Sequence, residues 1–180
     1  LLRGTASATY TSNGRAPDGS LLVEGARGAL GFRGTFSGRH QGDVATPSGA
    51  LFNSGLSMVG GSGALGMRGD WGSVTATVSH RAERLEIHED PAEDPTASPF
   101  QRIGSTRLAV NGNLATSGGG RLDIDLGGEV NRRREFEARG SSDVALGLRS
   151  TTGTANIHLH QVVGGVATVL GVAAMHTAFE

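Results

Sequence analysis

The chain has 180 residues, the size of one domain, and 30 of them are glycine, well above the ~7% of an average protein, yet without the Gly-X-Y period of collagen. A net charge of −1 gives neither the self-repulsion that favours disorder nor the basic face that nucleic acid needs, so no nucleic-acid partner is expected. Cysteine is absent, which excludes disulfides and thiolate chemistry, and no apolar run approaches the ~18 residues of a transmembrane helix.

Apolar and polar residues alternate with a period of two almost from end to end, and glycine interrupts the segments, so strands are expected and helices are not. The first strands are placed at about 3–12 and 19–27, joined by a loop from Ser12 to Asp18. The tight turn Arg27-Gly28-Ala29 leads to a strand at 30–40, where Leu30, Phe32 and Phe36 oppose Arg33, Thr35, Ser37 and Arg39. The connection His40 to Phe52 is long and precedes a strand at 53–68. Gly69-Asp70-Trp71-Gly72 is tight and opens a strand at 73–87, in which Val74, Ala76 and Val78 oppose Thr75 and Thr77. The connection His88 to Phe100 is long and acidic, with Glu89-Asp90-Pro91 and Glu93-Asp94-Pro95. In 101–115, Leu108, Val110 and Leu114 oppose Arg107, Asn111 and Asn113. A glycine turn, Thr116 to Gly120, gives way to 121–136, where Leu122, Ile124 and Leu126 oppose Asp123 and Asp125. A longer connection, Glu137 to Val144, leads to 145–161, with Ala155, Ile157 and Leu159 opposite Asn156, His158 and His160. The tight turn Val162 to Gly165 opens the last strand at 166–179.

Several of these runs exceed the five or six residues of an ordinary strand and reach the roughly 9–11 that a tilted strand needs to cross a bilayer. Short and long connections alternate, so a meander has one trimmed and one decorated end, the habit of outer-membrane barrels. In such a barrel the apolar face meets lipid and the polar face lines the lumen; in a soluble sandwich the apolar face packs inside. The small apolar residues, the Thr-, Ser-, Asn-, Arg- and Asp-rich opposite face and the strand lengths favour the barrel. Aromatics, at 4%, are too few for dense interface girdles and leave Tyr10, Phe32, Trp71 and Phe179 as isolated anchors. The expected fold is all-β: an antiparallel up-and-down meander and partial transmembrane β-barrel of about nine long strands, with 1–180 as part of one domain. Single-chain bacterial barrels have an even strand number, so an odd count implies a fragment of a larger barrel.

Three stretches carry a resemblance to a family. Thr46-Pro47-Ser48-Gly49-Ala50-Leu51-Phe52-Asn53-Ser54 resembles the Pro-x-Gly and Asn-Ser loop early in the barrel of TonB-dependent outer-membrane receptors. Phe100-Gln101-Arg102-Ile103 is similar to the family's next strand start, and Gly127 to Phe136 to its Gly-x-x-x-Asn-x-Arg-x-Glu strand end. The order of the pieces matches as well. The resemblance implies the N-terminal part of a plugged barrel of about 22 strands in the bacterial outer membrane. It also implies import, without chemistry, of a scarce ligand such as a siderophore, cobalamin or another metal chelate. The partners implied are outer-membrane lipid, lipopolysaccharide and the TonB complex. The plug domain and TonB box, which precede the barrel in the family, are expected outside this chain.

The ligand-binding candidates are His40, Asp43, His88, Glu89 and Asp90 in the long connections. Imidazole and carboxylate together hold cations or chelates, and the plainer reading of these residues is solvated loop. No His-Glu-x-x-His or calcium-loop spacing is present, so no metal or cofactor is assigned. Asp123 and Asp125 share a strand face, but no catalytic residue is expected, because paired charges are ordinary in a lumen. Arg132-Arg133-Arg134 alternates between faces and suits lipopolysaccharide phosphates or lumen acids. Two rivals remain at this level. A small complete barrel with a structural or adhesive role needs its first and last strands to pair. A soluble secreted sandwich needs its apolar faces to meet each other.

Overall fold

The computed structural model describes residues 1–89 and 97–180. These contain the strands β1 (Leu2–Thr11), β2 (Ala16–Arg27), β3 (Leu30–Gln41), β4 (Val44–Thr46), β5 (Gly49–Leu51), β6 (Leu56–Gly69), β7 (Gly72–Glu86), β8 (Phe100–Ala115), β9 (Arg121–Phe136), β10 (Leu146–Val163) and β11 (Val166–Phe179). Nine of them build one antiparallel meander in the order β1-β2-β3-β6-β7-β8-β9-β10-β11, while β4 and β5 pair only with each other. The strand expectations hold to within about three residues at most ends. The sheet is not closed into a barrel: β1 pairs with β2 and β11 with β10, and the two edge strands do not meet.

Two local features depart from the expected boundaries. β2 starts at Ala16, because a 3-10 turn at Asn13–Arg15 reverses the chain with Gly14 at φ 71° and Arg15 at φ 47°. β6 starts at Leu56 and not at 53, because Asn53 leaves extended geometry at φ 57°. The hairpin β4–β5 inside the long connection has no alternation long enough to be seen in advance. Its turn is Pro47-Ser48, closed by the Thr46 hydroxyl donating to Gly49 O at 2.7 Å.

The short connections, 28–29, 70–71, 116–120 and 164–165, all lie at one end of the sheet. The connections 42–55, 87–99 and 137–145 are long and lie at the other end, together with 12–15, which at four residues is shorter than 116–120 and departs from the expected alternation. Gly164 and Gly165, at φ 58° and 81°, form a two-residue turn whose twist matches its strands and which side chains with a Cβ rarely permit.

Register assigns the faces, since directly paired residues project to the same side. The row Leu159–Leu122–Leu114 and the row Ile157–Ile124–Gly112–Val74–Met67–Leu30 lie on one face. Leu126, Val110, Ala76, Leu65 and Phe32 form another row of it. No second layer covers this face among the described residues: Leu65 is 70% exposed, Leu108 57% and Leu126 43%. Large buried side chains are confined to the long-loop end, where Phe100 and Phe136 stack.

The opposite face is a set of polar ladders. Asn111 donates to Asp125 and Asn113 to Asp123, both at 2.6 Å. Asp123 also meets Arg121 and His160 at 3.0 Å each. Ser105 donates to Glu129 at 2.8 Å, Thr35 and Ser62 share a bond of 2.7 Å, and Arg3 pairs with Glu24. Asp123 and Asp125 are thus committed to their neighbours. Arg132 and Arg134 lie on the other face, so they do not reach these carboxylates.

Gly72, at φ +121°, faces Asn113 O so closely that a Cβ has no room. Gly72→Ala is expected to lower stability by about 1–3 kcal/mol. Gly128→Ala, where a Cβ meets nothing within 4 Å, is expected to stay within about 0.5 kcal/mol. The urea midpoint of the β-sheet circular dichroism signal measures both.

Candidate functional site at the long-loop end

The neck of the 87–99 connection is closed by one side chain. Asn53 is 1% exposed, and its amide nitrogen donates to Ile87 O at 2.6 Å and Pro99 O at 2.7 Å. Ile87 N adds a bond of 3.0 Å to Pro99 O across the same neck. Asparagine suits the place twice: it tolerates the left-handed backbone, and its NH2 has two donors for two carbonyls. Ser54 extends the clasp. Its backbone N donates to Asp43 Oδ1 at 2.9 Å, and its hydroxyl accepts from Val44 N and donates to Leu51 O. The end of the Thr46–Ser54 stretch is therefore a hydrogen-bonded knot that ties two loops together.

Of the ligand-binding candidates among the described residues, His40 and Asp43 line one small pocket with Arg84 and Glu86, and His88 and Glu89 are not part of its lining. His40 closes β3 on the apolar face, where its Nδ1 shares a bond of 2.9 Å with the Ser57 hydroxyl. Asp43 is taken up by Ser54. His88 donates from Nδ1 to Phe52 O at 2.8 Å and so belongs to the neck. Glu89 is exposed. Asp90 lies outside the described residues, as do Pro91, Glu93, Asp94 and Pro95. Among the described residues, no three His, Asp or Glu side chains gather as a metal site would require.

A different group also converges. Near its upper end the apolar face changes character along successive rows of register. One row reads His40, Ser57, Arg84, Arg102, Arg134, Gly147. The row below it reads Val59, Ala82, Gly104, Arg132, Arg149. Three arginines thus stand side by side on adjacent strands, with two more beneath. Like charges directly opposite destabilise a sheet by up to about 1 kcal/mol per pair.

Part of that charge is absorbed by aromatics. The rings of Phe100 and Phe136 stack 4.5 Å apart and 5° from parallel. Arg84 lies 3.8 Å over Phe100, and Arg102 lies 5.4 Å and 5.1 Å from the two rings. Arg149 meets Glu180 at 3.0 Å, and Glu86 meets Arg139 at 2.9 Å and Arg84 at 3.9 Å. Among the described residues, no carboxylate lies within 4.0 Å of Arg102, Arg132 or Arg134. Arg84, Arg102, Arg132, Arg134 and Arg149 together line a groove of ≈ 720 Å³. Sequence reading singled out Arg132-Arg133-Arg134 but not the row, because partners on four strands are set by register and not by spacing.

Compared with family models, with curated proteins and with solved structures, the chain matches none of them.

Asn53→Ala leaves two buried carbonyls unpaired and places alanine at positive φ, and it is expected to cost about 2–4 kcal/mol. Asn53→Asp sets an acceptor against two acceptors and is expected to be at least as damaging. Limited proteolysis reads the effect: cleavage between His88 and Pro99 accelerates at least tenfold, while cleavage in the 137–145 connection changes little.

Proposed function

We propose that this chain is a membrane-spanning β-barrel segment of an outer-membrane receptor of the TonB-dependent kind, which binds a scarce ligand and passes it inward. The observation that carries the reading is the uncovered apolar face of a long-stranded sheet. Leu30, Phe32, Leu65, Val78, Leu108, Leu126, Leu170 and Val172 all stand on one side without a packing layer among the described residues. A contiguous apolar face of this kind is what a soluble monomer ordinarily keeps out of water. Hydrocarbon is the solvent that suits it. The polar ladders then face a lumen, where a charge paired with Arg or Asn is at home.

The free edges of β1 and β11 fit the same proposal. Each unsatisfied backbone group in lipid costs several kcal/mol, so this reading requires both edges to be paired in a closed barrel. The receptor assignment rests on the Thr46–Ser54, Phe100–Ile103 and Gly127–Phe136 motifs. The ligand would be met by loops at the decorated end, and the coupling to TonB would come from segments other than these strands.

Because the chain has no cysteine, single cysteines report on each face separately. Leu126→Cys and Asp125→Cys, each carrying a fluorophore in the full-length receptor reconstituted in bilayers, should behave oppositely. Brominated acyl chains should quench the label at 126 several-fold more than the label at 125. Equal quenching, or full access of both to a water-soluble reagent, would remove the membrane reading.

A further inference from the structure

We propose that the arginine rows at the long-loop end form a binding groove for the phosphate groups of a lipid headgroup. The inference rests on the membrane reading above and adds to it a site and a ligand chemistry. Arg102, Arg132 and Arg134 stand together with no carboxylate beside them among the described residues. Guanidinium forks match phosphate oxygens in pairs, which is the chemistry that relieves such crowding.

The floor of the groove is open. A Cβ built on Gly104 meets nothing within 4 Å, so a ligand atom can approach the backbone between Ala82 and Arg132. The groove spans β6 to β10, five strands and so roughly 19 Å at ~4.8 Å per strand, wide enough for a headgroup with more than one phosphate. His80 and Thr106, joined at 2.8 Å, mark its lower margin with further hydrogen-bonding groups.

Lipid is the source that the surroundings favour. Directly below, on the same face, the rows turn to Val78, Leu108 and Leu126. A molecule anionic at one end and hydrocarbon along the rest meets both zones in one pose. A small free anion meets only the first. The same face carries Arg27 alone at the short-turn end, so the cationic zone marks one leaflet.

Native mass spectrometry of the full-length receptor in detergent tests this, with phosphatidic acid as probe and phosphatidylcholine as reference. Phosphatidic acid adducts should exceed phosphatidylcholine adducts and fall at least tenfold in the R102Q/R132Q/R134Q variant. R134Q alone, which removes one charge, should reduce them several-fold. R33Q/R107Q, on the opposite face, should leave them unchanged. Heat-modifiable gel migration, measured before lipid is added, separates the two claims. A protein that is never heat-modifiable loses the membrane reading and the site with it. A heat-modifiable protein that retains both lipids equally, or retains phosphatidic acid in the triple variant, loses the site alone. Displacement of the lipid by millimolar inorganic phosphate would identify a free-anion site and overturn the lipid assignment.

Discussion

A single sheet has two faces and no interior, and this constraint governs the rest of the molecule. Folding ordinarily stabilises a sheet by covering its apolar side with another layer. Here the described residues supply no such layer, and what would be core residues in a sandwich remain open. Backbone ladders hold the nine strands together, yet they do nothing for the greasy side. Whatever covers that side lies outside these strands.

The two ends of the sheet solve different problems. At the short-turn end three of the four connections reverse within two residues, and glycines at positive φ do this at Gly28 and at Gly164-Gly165. At the other end the chain is long, and without internal ties a long loop pays full conformational entropy. Asn53, Ser54 and Asp43 reduce that entropy by pinning the bases of two loops to each other. Phe100 and Phe136 add a well-buried apolar contact, capped by Arg84. Order is thus concentrated where the loops leave the sheet.

Much of this was legible from the sequence because a period of two is a direct record of strand geometry. Leu122, Ile124 and Leu126 against Asp123 and Asp125 is enough to place a strand and divide its faces. Boundaries failed where a single residue left extended geometry, as at Asn53, since nothing in the composition marks that residue as a cross-link. The ligand candidates were chosen for chemistry without register. Two of them, Asp43 and His88, prove to be used in holding loops. The arginine rows were hidden for the converse reason. Arg84, Arg102, Arg134 and Arg149 are scattered over 66 positions of chain, 84 to 149, and only the strand pairing brings them together.

Those rows also bear on which medium surrounds the sheet. If the apolar face packed against a second protein layer, three neighbouring arginines at its margin would need carboxylates from that layer. If the face met bulk water, the cations would be unremarkable, but the rows of leucine, valine and phenylalanine beneath them would not. A hydrocarbon slab with an anionic surface, as the proposed membrane reading has it, would accommodate both. Arg27 is the lone cation of that face at the short-turn end, whereas five arginines crowd the opposite margin. On the proposed membrane reading, that asymmetry gives a direction, with the decorated end beside the leaflet richer in phosphate.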